Sequence, residues 1–321
     1  MLFLVGGAAA LAALLVAGFG YEKVSEARDR KRYPPPGKLV DVGGGRRLHL
    51  FCEGNAPGPT VVIEQGNSSP SIVWAPVQAA IAKFARVCTY DRAGFLWSDP
   101  APGGNRDLDA RVADLHALLT RGQVPAPYVL VGHSLGGLLV RRFARQYPDL
   151  VAGMVLVDSP DETVIFRSSV ERFYRQGVQF QGILKVLARF GLVRLLGKRI
   201  PMLMLPDDPV GYALCVTPAH AAACAADMHA LWTAPESIRR RDPNESLGDR
   251  PLILLKHGVP FPPIAAAMEE GWDESVRDLA RLSTHSEVIS AEKSGHLIYL
   301  DQPDLIVDSV RRVFTAARGG K

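Results

Sequence analysis

The stretch Leu130-Val131-Gly132-His133-Ser134-Leu135-Gly136-Gly137 decides the fold. Residues 128–131 are a short apolar run that predicts a buried strand, and residues 138–144 predict a helix. Between them Gly132 to Gly136 fits G-x-S-x-G, a motif that needs strand, tight turn and helix around it. A serine at the tip of so sharp a turn holds a strained backbone. A side chain at either flanking glycine would strike the neighbouring strand or helix. The turn lifts the Ser134 hydroxyl clear of the sheet and sets it at a helix N-terminus, where unpaired N–H groups favour developing negative charge. The alternative is a glycine-rich turn with an incidental serine, since five residues match by accident often enough. The flanking strand and helix, and a histidine far downstream, weigh against it.

Outward from this turn the chain alternates strands with helices. Strands are predicted at 39–42, 47–53, 60–64 and 86–90, then at 153–158 after the turn. Residues 74–84 predict a helix. Residues 108–119 predict another, with Leu108, Val112, Leu115, Leu118 and Leu119 on one face. This rhythm implies a mostly parallel sheet covered by helices on both faces. From Ser159 to about Asp249 it breaks. Helical patterns at 178–196 and 218–232 dominate, which is too long and too structured for a plain connection. The segment 159–249 is therefore expected to be a helical cap. A strand at 251–256, a helix at 272–282, a short strand at 286–290 and a helix at 304–317 complete the sheet unit, so the core is 39–158 with 250–317.

Composition excludes several classes. With 321 residues and 47% hydrophobic, the chain buries a large core. The net charge of +4 leaves no nucleic-acid footprint, and no basic stripe interleaved with aromatics occurs. Cys52, Cys88, Cys215 and Cys224 lack metal-ligand spacing. Cys52 and Cys88 lie in strand-like runs and read as small core residues. A Cys215–Cys224 disulfide in an oxidising compartment is left open.

Residues 1–20 carry no charged side chain and match the roughly 20 residues a helix needs to cross a bilayer. A cleaved signal peptide would want a positive start and a small-x-small cleavage site. No Lys or Arg precedes the apolar run, and its end, Val16-Ala17-Gly18-Phe19-Gly20, is a poor site, so residues 1–21 read as a transmembrane anchor. Residues 22–38 read as a basic and proline-rich linker, stiffened by Tyr33-Pro34-Pro35-Pro36-Gly37. Lys23, Arg28, Arg30, Lys31 and Arg32 would hold that flank in the cytoplasm. Glu22, Glu26 and Asp29 weaken the rule, and the membrane side stays open.

Three motifs carry a family likeness: Tyr90-Asp91-Arg92-Ala93-Gly94, Gly132-His133-Ser134-Leu135-Gly136-Gly137 and Ser294-Gly295-His296. With the chain order around them, they resemble the α/β-hydrolase superfamily from about residue 40 to 314. The likeness is nearest to bacterial membrane-anchored lipases and esterases. The resemblance implies a serine hydrolase that needs no cofactor. It implies a small-molecule substrate, and by analogy an apolar acyl one. No nucleic acid is expected as a partner.

On that likeness Ser134 is the nucleophile, which needs an adjacent base because a free hydroxyl is weak at neutral pH. His296 is that base, in the loop where the family's catalytic histidine sits. His133 should be packed under the turn, and the other histidines, His257 among them, should be solvated or packed. The acid departs from the family pattern. Residues 256–263 hold no carboxylate where an Asp usually follows the penultimate strand. Asp158, at the end of the strand after the Ser134 helix, is the expected acid, with Glu269, Glu270, Asp273 or no acid at all as alternatives. The oxyanion donors are expected to be the amides of Leu135 and Asn67, the latter after Gln65-Gly66 where the family usually has His-Gly. Asp91 and Arg92 read as structural. A second class is kept open, a non-catalytic ligand-binding or membrane-tethered receptor module of the same fold, which the missing acid would suit.

Overall fold

Parity along the strands sets the architecture. In the computed structural model, which describes residues 2–102, 107–200, 203 and 205–319, successive strand residues join different cores. Val61, Ile63, Val129, Val131, Val155 and Val157 pack on one face, and Val62, Leu130, Met154 and Leu156 on the other. A strand buried on both faces needs apolar residues at both parities, which is why these runs are continuous rather than alternating.

The strands are β1 (Lys38–Gly43), β2 (Arg46–Glu53), β3 (Thr60–Glu64), β4 (Val87–Tyr90), β5 (Tyr128–His133), β6 (Val151–Val157), β7 (Leu252–His257) and β8 (Ser286–Ala291). They form one sheet in the order β1-β2-β4-β3-β5-β6-β7-β8. The β1/β2 and β2/β4 pairs are antiparallel and every later pair is parallel. The helices are α1 (Leu2–Arg32), α2 (Ala75–Ile81), α3 (Leu108–Arg121), α4 (Leu135–Gln146), α5 (Glu162–Ile165), α6 (Ser168–Arg189), α7 (Leu192–Leu196), α8 (Pro209–Cys215), α9 (Pro218–Trp232), α10 (Glu236–Arg239), α11 (Trp272–Ala280), α12 (Ile298–Asp301) and α13 (Pro303–Gly319). Helices α2 and α13 cover one face through Val77, Ile81, Ile306 and Val310. Helices α3, α4 and α11 cover the other through Leu115, Leu138 and Val276. Because β5, β6 and β7 are parallel neighbours, the residues just past their C-terminal ends gather on one edge of the sheet, where ligands of open parallel sheets bind. Helices α5 to α10 lie between β6 and β7 in the chain.

Three expectations are corrected, and the question left open for Cys215 and Cys224 is answered. Cys52 and Cys88 are not separate core residues: β2 and β4 set them directly opposite each other, and they form a disulfide. Cys215 and Cys224 are free thiols, each buried. The expected linker from residue 22 is helical as far as Arg32, because Glu22 and Asp29 face inward onto Arg194. The single helix expected over 178–196 is two helices. Gly191 adopts φ +71°, a left-handed conformation that stops α6 and that glycine takes without steric cost.

Candidate active site

The turn between β5 and α4 is strained and tightly held. Ser134 has φ 51° and ψ −121°, which for a non-glycine residue costs about 1–3 kcal/mol. Its amide donates to Val157 O of the adjacent strand at 3.1 Å. Its carbonyl accepts from the Gly137 amide at 2.9 Å and from Ser159 Oγ at 2.8 Å. The flanking glycines are required by contact. A Cβ on Gly132 would lie 2.7 Å from Gly136 O, and one on Gly136 would lie 2.3 Å from Glu64 O.

Ser134 opens onto a small, narrow cleft that is continuous with solvent. Val164, Ile165, Val170, Tyr174 and Leu231 of the β6–β7 helical segment line it, together with Met268 and Trp272. Apart from Ser134 itself, the side chains that line it are aliphatic or aromatic.

Asp158 follows β6 directly and, like Ser134, has positive φ, at 44°. It is fully buried. Its Oδ2 accepts from His296 Nδ1 at 2.7 Å. Its Oδ1 accepts from the His257 amide at 2.9 Å and from His257 Nδ1 at 2.8 Å. Burial alone would raise the Asp158 carboxyl. The hydrogen bonds from His257 and His296 outweigh it and bring the pKa down to about 2. Of the four carboxylates considered from the sequence, Asp158 is the one bonded to His296 among the described residues. Glu269 meets His257 Nε2 at 3.2 Å and accepts from the Phe261 amide at 3.0 Å. Glu270 pairs with Arg167 at 3.2 Å. Asp273 pairs with Lys256.

His257 is the residue that sequence reasoning missed. It is buried, with one nitrogen on Asp158 and the other on Glu269. Burial works against its charged form, but the two carboxylates prevail and raise its pKa. The available signal was its position: it ends β7, where the resemblance leads one to look for a carboxylate.

His296 sits beside the turn. Its ring centroid is 4.7 Å from that of His133, 5.1 Å from Phe261 and 5.8 Å from Trp272. Its carbonyl accepts from His133 Nε2 at 2.9 Å, so the residue next to Ser134 holds the His296 loop in place. His133 is packed under the turn, and burial, then the nearby His296, lowers its pKa to about 3. It is therefore neutral at neutral pH. Among the described residues neither Ser134 Oγ nor His296 Nε2 has a hydrogen-bond partner, which leaves both open toward a ligand.

The loop after β3 lies against the same turn. A Cβ on Gly66 would come within 2.6 Å of His133 Nδ1 and 3.3 Å of Ser134 Cβ, so only glycine fits there. Asn67 follows, with its Oδ1 buried and unpartnered. Arg92 fixes this loop, donating to Gln65 O at 2.9 Å and Gly66 O at 2.6 Å. Arg92 is itself held by Glu64 and by Asp227 of α9, each at 2.7 Å. Asp227 also accepts from the Ser68 amide at 3.0 Å. Asp91 lies in the same loop, bonded to His49 Nδ1 at 2.8 Å and to Ser71 Oγ at 2.5 Å. Both residues are structural supports here. Arg92 ties the helical segment to the loop that borders Ser134.

The alpha/beta hydrolase family matches residues 61–309. The Bacillus subtilis protein YqjL is 25% identical over 274 residues, covering 85% of this chain and 90% of YqjL. An esterase from Thermogutta terrifontis superposes with a TM-score of 0.61 at 20% identity, covering 87% of this chain and 98% of the esterase. An epoxide hydrolase from Bacillus megaterium superposes with a TM-score of 0.62 at 15% identity, covering 87% and 100%. At such identities these two structures share the fold. The match runs from β3 through β8, taking in the turn bearing Ser134 and the helical segment above it, and the chain belongs to the alpha/beta hydrolase family.

Proposed function

We propose that this protein is a serine hydrolase that cleaves carboxylic esters with an apolar acyl group. The observation that carries the reading is the Asp158–His296 hydrogen bond of 2.7 Å, set beside a strained serine in an apolar cleft. Ser134 Oγ attacks the ester carbonyl while His296 Nε2 takes its proton. Asp158 holds Nδ1–H, fixes the tautomer and stabilises the imidazolium. The Leu135 and Asn67 amides receive the oxyanion. As the carbonyl re-forms, the C–O bond to the leaving alcohol breaks and His296 returns the proton to that oxygen. Water, deprotonated by the same nitrogen, then attacks the acyl-enzyme; the acyl–Oγ bond breaks, the acid leaves, and His296 returns the proton to Ser134 Oγ. Serine at the turn favours this chemistry over epoxide opening, for which the related enzymes carry Asp at that position. Esters and epoxides therefore make the test. The purified protein is expected to hydrolyse p-nitrophenyl acyl esters, Ser134→Ala is expected to lose that activity, and styrene oxide is expected to survive. Epoxide turnover without ester turnover overturns the assignment.

We further propose that α1 anchors the protein as a single membrane pass. Within it, the segment Gly6–Arg32 has a window of mean hydropathy 1.3, long and apolar enough to cross a bilayer. The Cys52–Cys88 disulfide supports an oxidising compartment for the soluble part. The basic flank pulls the other way, but Glu22, Glu26 and Asp29 lie among those charges.

A further inference from the structure

Helix α1 is fastened to the helical segment rather than tethered by a loose linker. Gly18, Glu22, Ser25 and Asp29, spaced four, three and four apart, form its inward face. Arg194 Nε and Nη2 both reach Glu22 at 2.9 Å, and Nη1 reaches Asp29 at 2.6 Å, with the guanidinium largely buried. Just above, Gly18 touches the 190–191 junction: a Cβ there would lie 2.7 Å from Phe190 O. Beyond Gly18, residues 6–17 of α1 are exposed. The end of α6 and all of α7 are thus held at the level where the charge-free run of α1 stops.

That level carries unpartnered apolar surface. Ile183, Val186 and Leu187 of α6, and Leu192, Leu195 and Leu196 of α7, are 37–58% exposed. Each trio follows helical spacing and shares a face. Single exposed leucines are ordinary; two trios on consecutive helices beside an apolar anchor are a surface. Its charge is one-sided. Arg194 is neutralised by Glu22 and Asp29, but residues 183–200 also carry Lys185, Arg189, Lys198 and Arg199 and no Asp or Glu. A basic, apolar-faced helical stretch suits the headgroup boundary of an anionic bilayer.

We propose that residues 183–200 lie in the headgroup boundary of the bilayer that α1 enters, in contact with anionic phospholipid. Helix α6 joins that surface to the cleft, because its N-terminal half supplies Val170 and Tyr174 beside Ser134. The substrate class that follows is an ester dissolved in the membrane rather than in water. This last step rests on the hydrolase reading above; the docking itself rests on α1 crossing the bilayer.

The test uses the full chain reconstituted in phosphatidylcholine vesicles containing one quarter phosphatidylglycerol. An NBD fluorophore is placed on Leu195→Cys, on Val16→Cys in α1, and on Asp149→Cys at the opposite end of the sheet. The unsubstituted protein, whose free thiols are buried, serves as the blank. The expected result is a blue-shifted Leu195 probe, quenched by shallow spin-labelled lipid and protected from iodide, while the Asp149 probe remains iodide-accessible. An iodide-accessible Leu195 probe with the Val16 probe in lipid overturns the docking. Protection from both iodide and spin-labelled lipid also overturns it, since another copy of the chain then covers the face. A Val16 probe in water overturns the anchor and the inference together. Independently, Leu192→Asp/Leu195→Asp is expected to keep turnover of a short water-soluble ester and to lose on the order of tenfold on a long-chain ester carried in the vesicles. Equal loss on both contradicts the substrate step. Absence of turnover of either ester by the unsubstituted protein points instead to failure of the hydrolase reading and leaves the probe result to decide the docking.

Discussion

His257 Nδ1 lies 2.8 Å from Asp158 Oδ1 and 2.9 Å from its Oδ2 across the tips of β6 and β7, and Oδ2 also accepts from His296 at 2.7 Å. Asp158 is buried, so it needs every donor it has: a lone carboxylate in that position would protonate rather than stay charged. His257 supplies two of them, from its amide and its ring, and Glu269 on its far nitrogen balances the charge. The expected acid therefore stands in a chain Glu269–His257–Asp158–His296 that leads toward Ser134.

His257→Gln is expected to lower kcat on the order of tenfold with little change in KM, because it acts on Asp158 rather than on the substrate. Its effect on stability has a sign. The folded-state pKa of His257 is raised above the usual 6.5, so its pairing contributes fully below that value and the contribution is lost as pH rises through the folded pKa. Urea unfolding should show a wider gap between wild type and variant near pH 5.5 than near pH 9. A gap that widens with pH contradicts the arrangement.

Asp158→Asn is expected to reduce kcat about 10³- to 10⁴-fold, because the amide leaves His296 in the wrong tautomer. Asp158 is the depressed case: its carboxyl drops from the usual 3.8 to about 2. Its contribution, on the order of 2 kcal/mol, is present above about pH 4 and disappears as pH falls through 2. Acid unfolding followed by circular dichroism checks this, and the variant should lose less stability than wild type across that interval.

Gly136→Ala tests the packing of the turn. The new methyl would sit 2.3 Å from Glu64 O and 2.7 Å from Gln65 O, backbone atoms of the β3 edge that have no room to retreat. We expect destabilisation of about 3 kcal/mol or more, read as a lowered Tm. A variant of unchanged Tm contradicts the contact.

Thiol counting tests the cysteine pairing. Alkylation of denatured, unreduced protein is expected to modify Cys215 and Cys224 and to spare Cys52 and Cys88 until reductant is added. Modification of all four without reductant contradicts the pairing and removes its support for an oxidising compartment.

Local chemistry made much of this legible. The glycines around Ser134 announce a tight turn, and each strand before a helix places its last residue on one edge of the sheet, which is why Asp158 suggested itself. What stayed hidden depends on distant partners. His257 meets Asp158 across 99 residues, through the adjacency of β6 and β7. Cys52 meets Cys88 because β2 pairs with β4 past β3, a register that no local pattern encodes. Glu22 and Asp29 read as linker charges until Arg194, 172 and 165 residues away, gives them a buried partner.

The central claim is that Ser134 is an activated alcohol within reach of a base. A fluorophosphonate probe measures this directly, since it phosphonylates a serine only where such activation exists. Intact protein at neutral pH is predicted to gain one adduct, mapped by mass spectrometry to the peptide containing Ser134. The adduct should be absent from Ser134→Ala and strongly reduced in His296→Ala. Folded protein that takes no adduct, or an adduct that persists in Ser134→Ala, contradicts the account.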